Sequence, residues 1–123
     1  MASALILFAH GARDARWAAP FERVLARVKA SSPERAPMLA FLELMQPDLA
    51  SAIAAQVARG FTSVRIVPLF LGQGGHLRDD VPRLVDAVRS THPGVAIELA
   101  EAAGEDDAVI EVLAAYALRD AKS

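Results

Sequence analysis

Cysteine is absent from all 123 residues, which removes a disulfide framework, a thiolate zinc site and a cysteine nucleophile at once. An excess of positive charge is missing too. The 13 lysines and arginines stand against 15 acids, a formal net charge of −2, without the basic footprint that nucleic acid requires. No apolar run approaches the roughly 20 residues of a membrane-spanning helix. The start has no basic segment ahead of its apolar run, so residues 4–9 are expected to form a core strand rather than part of a signal peptide. Linkers, internal repeats and low-complexity tracts are also missing. The expectation is one domain over residues 1–123, soluble and cytoplasmic, with neither nucleic acid nor membrane as partner.

What is present is an alternation. Apolar runs at residues 4–9, 38–44, 64–71 and 95–100 are nearly continuous, which suits strands covered on both faces. Between and after them a helical spacing repeats. Phe21, Val24, Leu25 and Val28 fall at i, i+3, i+4 and i+7, as do Val81, Leu84, Val85 and Val88, and again Val109, Val112, Leu113 and Tyr116. Leu49, Ile53 and Val57 form a thinner stripe filled out with alanines. Each stripe predicts one apolar helix face laid against a sheet. Pro47 is expected in a first helical turn, Gly60 at a left-handed C-terminal cap, and Asp79 and Asp80 at the opening of the third helix. The last few residues, from Asp120 onward, are expected to fray.

The order βαβαβαβα predicts a three-layer α/β fold, a four-stranded parallel sheet flanked by helices. Ligands of such sheets bind beyond the carboxyl ends of the strands, where the strand order reverses. His10 follows the first run directly, Glu43 lies near the end of the second, Gly72-Gln73-Gly74-Gly75-His76 follows the third, and Glu101 follows the fourth. With strand order 2-1-3-4, His10 and His76 flank the switch point. A histidine at a strand end is often a structural, hydrogen-bonded residue, but the chain holds only three histidines and two of them fall here. The third, His92, precedes Pro93-Gly94 and is expected at the opposite edge, in solvent.

Single residues argue against several familiar sites. A dinucleotide fingerprint needs a glycine where Leu77 stands, and no Gly-Lys-Ser/Thr occurs. Asp79 and Asp80 would repel a phosphate. The glycines of the loop are expected instead to turn the backbone sharply and let it approach a flat ligand. A histidine phosphatase would carry arginine before His10-Gly11, where this chain has Ala9. No Gly-x-Ser-x-Gly elbow is present.

Three blocks carry a resemblance. His10-Gly11-Ala12-Arg13-Asp14, Phe41-Leu42-Glu43-Leu44-Met45-Gln46-Pro47, and Pro68-Leu69-Phe70-Leu71 leading to Gly75-His76-Leu77-Arg78-Asp79-Asp80-Val81-Pro82 together resemble the class II chelatases. The likeness is to the short CbiX kind, the sirohydrochlorin cobaltochelatases and ferrochelatases. It covers roughly the first two-thirds of the chain, with one departure. The family usually has serine where this chain has Ala12, which removes a hydroxyl beside the site.

The resemblance implies a chelatase inserting a divalent metal ion (Co²⁺, Fe²⁺ or Ni²⁺) into a tetrapyrrole, in cobalamin or sirohaem biosynthesis. It makes His10 and His76 the metal ligands and proton acceptors, with Glu43 an auxiliary ligand or base. Neutral imidazole both holds such metals and takes a proton near pH 7. Gly74 and Gly75 would approach the substrate, and Arg13 and Arg78 would meet its carboxylates. The metal is substrate, and no permanently bound cofactor is expected. Longer relatives contain two such domains facing one cleft, so a homodimer is implied. Non-catalytic tetrapyrrole or metal carriage on the same fold is the first alternative, and a histidine-dependent phosphatase the second.

Overall fold

The computed structural model describes residues 2–120; of the residues expected to fray, 121–123 lie outside them. Four strands, β1 (Ala4–Ala9), β2 (Met38–Phe41), β3 (Ser63–Pro68) and β4 (Ala96–Leu99), alternate with four helices. These are α1 (Ala19–Ser31), α2 (Leu49–Ala58), α3 (Gly75–Thr91) and α4 (Asp107–Ala117). All strand pairings are parallel, in the order β2-β1-β3-β4. β1 is central and every one of its six residues is buried, which is why its sequence shows no alternation. Ile6 faces Met38 on one side and Ile66 on the other.

The two sheet faces hold different cores. Ile6, Phe8, Val64, Ile66 and Ile97 pack with Leu49 and Ile53 of α2 and Val81, Val85 and Val88 of α3. On the other face Leu7, Ala9, Leu39 and Phe41 meet Phe21, Leu25 and Val28 of α1. Here the expectation of strands covered on both faces fails for half of the sheet. β3 alternates between buried and half-buried residues, and Ala96 and Glu98 of β4 are exposed. The Val109, Val112, Leu113, Tyr116 stripe of α4 does not reach the sheet either. Val112 and Tyr116 are 69% and 65% exposed.

Several boundaries differ from the sequence reading, each for a local reason. β2 ends at Phe41 instead of residue 44, because the chain turns at Leu44, whose φ of 66° is left-handed. The turn brings the Pro47 carbonyl back to accept from the Phe41 N–H at 2.9 Å. β3 stops at Pro68. The Leu69 N–H points to β1, donating to the Phe8 carbonyl at 2.8 Å, so the missing N–H of Pro68 is the one that would have faced β4. Pro47 lies ahead of α2, whose N-cap is Asp48. Gly60, with φ 97°, does follow the helix end as expected. α3 opens at Gly75 with Gly74 as N-cap, so Asp79 and Asp80 sit in its second turn. Pro82 lies inside that helix, and acids ahead of a proline imitate a helix start.

Two contacts tie the carboxyl edge together. The short 3-10 turn Ala103–Glu105, which leads into α4, is held where the Gly104 N–H donates to the Phe70 carbonyl at 2.9 Å. A Cβ at Gly104 would stand 1.6 Å from the Leu71 carbonyl oxygen. At Gly72 nothing lies within 4 Å of such a Cβ. Gly104→Ala should therefore cost about 1–3 kcal/mol by forcing backbone apart, while Gly72→Ala stays within about 0.5 kcal/mol. Urea unfolding of the two variants checks this, and equal stabilities would refute the packing.

The Asp48 cap supplies a pH dependence. Its carboxylate accepts from the Ser51 N–H at 2.8 Å, and that bond holds its pKa below the ordinary aspartate range. A depressed folded pKa means stability that is present above the unfolded value and lost as pH falls through the folded one. Asp48→Ala should cost about 0.5–1 kcal/mol at neutral pH. The gap to the parent chain should close as the urea titrations are carried below pH 4 or so.

Candidate functional site

His10 emerges from the end of β1, and its ring stands edge-on to Phe70 with centroids 6.2 Å apart. Its Nε2 lies 3.5 Å from Oε1 of Glu43, with the two side chains 46% and 53% exposed. That pairing is set by the backbone. The Leu42 N–H donates to the Ala9 carbonyl at 2.9 Å and the Glu43 N–H to the His10 carbonyl at 3.1 Å, extending the β1–β2 ladder past the last paired residues. Gly11 makes the approach possible. Its φ is 98°, and a Cβ there would fall 1.8 Å from the Glu43 carbonyl oxygen. Only glycine satisfies both conditions.

His76 is placed differently from the sequence expectation. It belongs to the first turn of α3 rather than to a loop, and its side chain is 91% exposed. Its Nε2 meets Oδ2 of Asp80 one turn later, at 2.8 Å. The site therefore holds two imidazole–carboxylate pairs, His10–Glu43 and His76–Asp80. Among the described residues no group of three or more histidines and acids is close enough to hold a metal ion.

The remaining expected residues are at the same edge but engaged in other ways. Arg78 bridges to Glu105 at 2.9 Å and lines a cavity of about 270 Å³ with Gln73, Pro82 and Glu101. Arg13 is exposed and forms no ion pair among the described residues. The loop glycines do not make the sharp turn expected of them. The positive-φ glycines are Gly11 and Gly60, while Gly74 has φ −70°. Gly72, Gly74 and Gly75 all have open space beside them, which leaves their backbone accessible. His92 caps the far end of α3, away from this edge, and is half-buried rather than solvated.

Sequence reasoning passed over the apolar shelf beside His10. A cavity of about 250 Å³ runs from His10 along Trp17, Phe21, Leu69, Phe70, Leu71, Gly72 and Leu77. Trp17 stacks on Phe21 at 4.6 Å and reaches Phe41 at 6.5 Å. Asp14 sets its position. The carboxylate caps the turn Ala15–Ala18 by accepting from the Arg16 N–H, and the Asp14 carbonyl accepts from the Trp17 N–H at 3.0 Å. The Arg16 guanidinium closes on the same carboxylate at 2.7 Å and holds its pKa below the usual range. The lone tryptophan three residues after Asp14, in the segment that follows β1, was the available signal. Asp80 stands at i+4 from His76, a pairing that follows only once His76 is known to be helical.

A parallel sheet of this order, with a histidine–carboxylate pair at its switch point, is the arrangement of a chelatase-type α/β protein. The CbiX family model matches residues 4–119, and the chain belongs to that family. It is 28% identical over 113 residues to the sirohydrochlorin ferrochelatase of Bacillus subtilis, covering 92% of this chain and 43% of that one. A sirohydrochlorin cobaltochelatase of Saccharolobus solfataricus is 35% identical over 79 residues, 59% of this chain and 62% of that one. The chain thus spans less than half of the Bacillus relative's length. Among solved structures, a CbiX protein from Marinobacter aquaeolei VT8 assigned to cobalamin biosynthesis superposes with a TM-score of 0.81 at 34% identity. That alignment covers 95% of this chain and 93% of the other. The SirB protein of Bacillus subtilis, solved with Fe³⁺, gives 0.78 at 28% identity, covering 94% of this chain and 46% of that one.

The geometry generates a prediction of its own. Gly11→Ala should cost about 1–2 kcal/mol for the left-handed backbone alone and move the Glu43 segment off His10. In NMR spectra, Glu43→Gln should shift the His10 ring resonance in the parent chain and leave it unmoved in the Gly11→Ala background. A response of equal size in both backgrounds would refute the role given to Gly11.

Proposed function

We propose that this chain is a metal chelatase that inserts Co²⁺ or Fe²⁺ into sirohydrochlorin or a close relative. The observation that carries the proposal is the His10–Glu43 pair, an imidazole and a carboxylate 3.5 Å apart at a switch-point strand end, in a chain of the CbiX family. Metallation exchanges two pyrrole N–H protons for one divalent ion, so the site must receive two protons as the ion sheds water. A neutral imidazole takes one near pH 7, and a carboxylate beside it stabilises the imidazolium formed. His10 and His76 would serve as ligands and proton acceptors, each backed by its own acid, Glu43 and Asp80. The Trp17–Phe70–Leu77 shelf offers a flat apolar wall to the face of the macrocycle. Arg13, Arg78 and the open backbone at Gly74 and Gly75 would meet its carboxylates.

The size of the cavity supports a homodimer. About 250 Å³ beside His10 falls below the ordinary ligand-pocket range of roughly 300–1,000 Å³, and a tetrapyrrole needs more than one such wall. The second wall would come from a second copy, as two halves of one longer chain would supply it. Ala12, which leaves no hydroxyl beside His10, favours one alternative, tetrapyrrole binding without insertion.

An anaerobic absorbance assay of sirohydrochlorin with Co²⁺, and separately with Fe²⁺, tests the proposal. The protein should accelerate metallation over the uncatalysed control. His10→Ala and His76→Ala should each lower the rate on the order of 100-fold without lowering the melting temperature, since both side chains are solvent-accessible. Glu43→Gln should cost about 10-fold or more. A shifted spectrum of bound metal-free tetrapyrrole with no acceleration would establish the carrier instead. The absence of both changes would overturn both readings.

A further inference from the structure

Leu44 stands at the tip of a turn that suits it badly. The Met45 N–H donates to the Glu43 carbonyl at 2.8 Å, which closes a three-residue γ-turn with Leu44 at its centre. A φ of 66° makes this the rare, strained form of that turn. Glycine is the residue that adopts such a backbone freely. Nor does the core reward the leucine. Its side chain is 55% exposed and belongs to neither hydrophobic cluster, whereas Met45, the next residue, packs against the cluster under α1. Folding alone gives no reason for a leucine here, and strain of this kind gathers where a ligand is bound.

The place of Leu44 in the fold says which ligand. Of the eight large apolar side chains exposed among the described residues, only Val24, Leu44 and Leu71 lie outside α4 and the residue after it. Leu44 and Leu71 each stand three residues past a strand end, after β2 and β3, at the carboxyl edge of the sheet. Because β1 lies between those strands, the two segments flank His10 from opposite sides. Two strand spacings, about 10 Å, separate them. Leu71 already borders the cavity beside His10. Leu44 follows Glu43, whose carboxylate is 3.5 Å from the His10 ring. A flat molecule centred over that pair is flanked by both leucines.

We propose that Leu44 is a substrate-binding residue, held in its strained turn so that the side chain meets the tetrapyrrole on the far side of His10 from Leu71. The inference rests on the chelatase reading above and adds a residue to its binding surface. An ion held between His10 and Glu43 enters the macrocycle only if the pyrrole nitrogens lie over that pair. The periphery of the ring then extends past both residues, toward Leu71 on the β3 side and Leu44 on the β2 side. Leucine offers no donor to the ion and no charge to the carboxylates of the substrate, so it adds contact without competing with Glu43. The tightness of the turn serves the same end. It reverses the chain directly after Glu43, so that Met45 returns to the core while Leu44 stays at the rim.

Trp17, the only tryptophan of the chain, borders the cavity beside His10 and reports binding there. Metal-free sirohydrochlorin is titrated into the parent chain and into Leu44→Ala, Leu44→Met and Leu44→Gly, with quenching of Trp17 fluorescence as the readout. Leu44→Ala should weaken binding about tenfold, the loss expected when the contact of one leucine side chain goes. Leu44→Met should restore most of it, since the volume and apolar character return. Leu44→Gly should bind as weakly as Leu44→Ala yet unfold at a higher urea concentration, because glycine relaxes the left-handed turn. Equal affinities of the parent and Leu44→Ala would overturn the inference and leave the chelatase reading standing. So would a methionine variant as weak as alanine, or a glycine variant no more stable than alanine. Sedimentation of the ligand-free chains supplies another check. If Leu44→Ala alone dissociates a dimer there, the residue belongs to a contact between copies and the inference is overturned. A parent chain that neither binds nor metallates sirohydrochlorin would sink inference and chelatase reading together.

Discussion

The Glu43 N–H donates to the His10 carbonyl across the β1–β2 seam, and Gly11 gives the room for it. Through that bond the most buried strand of the fold, a central strand buried along its whole length, sets the relative position of an imidazole and a carboxylate. Neither side chain needs to be buried to be oriented. Both remain about half exposed, so a solvated ion can reach them, while the backbones that carry them are part of the sheet. The pairing asks for glycine after the histidine, a chain reversal soon after the acid, and an apolar strand before each. The sequence segments residues 4–11 and 38–47 have that composition. The left-handed Leu44 fits the same account. A leucine in that region is strained, and here the strain accompanies the reversal that returns Pro47 to Phe41.

The sheet was legible because period and length agree. Continuous apolar runs bounded by Pro and Gly indicated four parallel strands, the order 2-1-3-4 entered only as a condition on how they pair, and Gly60 marked a helix end. What misled was chemistry shared by different structures. An aspartate pair ahead of Pro82 reads as a helix start, yet the same residues fit a second turn when Gly74 caps the helix earlier. A seven-residue run ending in Leu44 reads as strand until the turn inside it is known. The largest error concerned α4, whose stripe is as regular as that of α3. An apolar stripe reports that a face wants cover, and nothing in its spacing says whether the cover belongs to the same chain.

At the site, the residue types were legible and their partners were not. His10, Glu43 and His76 fall at the expected edge because strand ends fix where the chain emerges. Side-chain pairing depends on rotamer and local helix register, so the Asp80 contact required knowing that His76 is already helical. The shelf was hidden for a further reason. Trp17, Phe70 and Leu77 come from three separate segments, and each alone reads as ordinary core.

Two exposed imidazole–carboxylate pairs, with no third donor gathered around either among the described residues, make weak sites when taken singly. For the proposed reaction weakness is an advantage. A closed four-ligand shell holds its ion as part of the fold, and an ion so held cannot pass to a macrocycle. Transfer instead requires a shell that the incoming nitrogens can complete, next to bases that take the two departing protons. One chain offers half of such an enclosure, an apolar wall and an open rim. In the reading proposed above, a second copy would supply the wall that the incomplete site lacks.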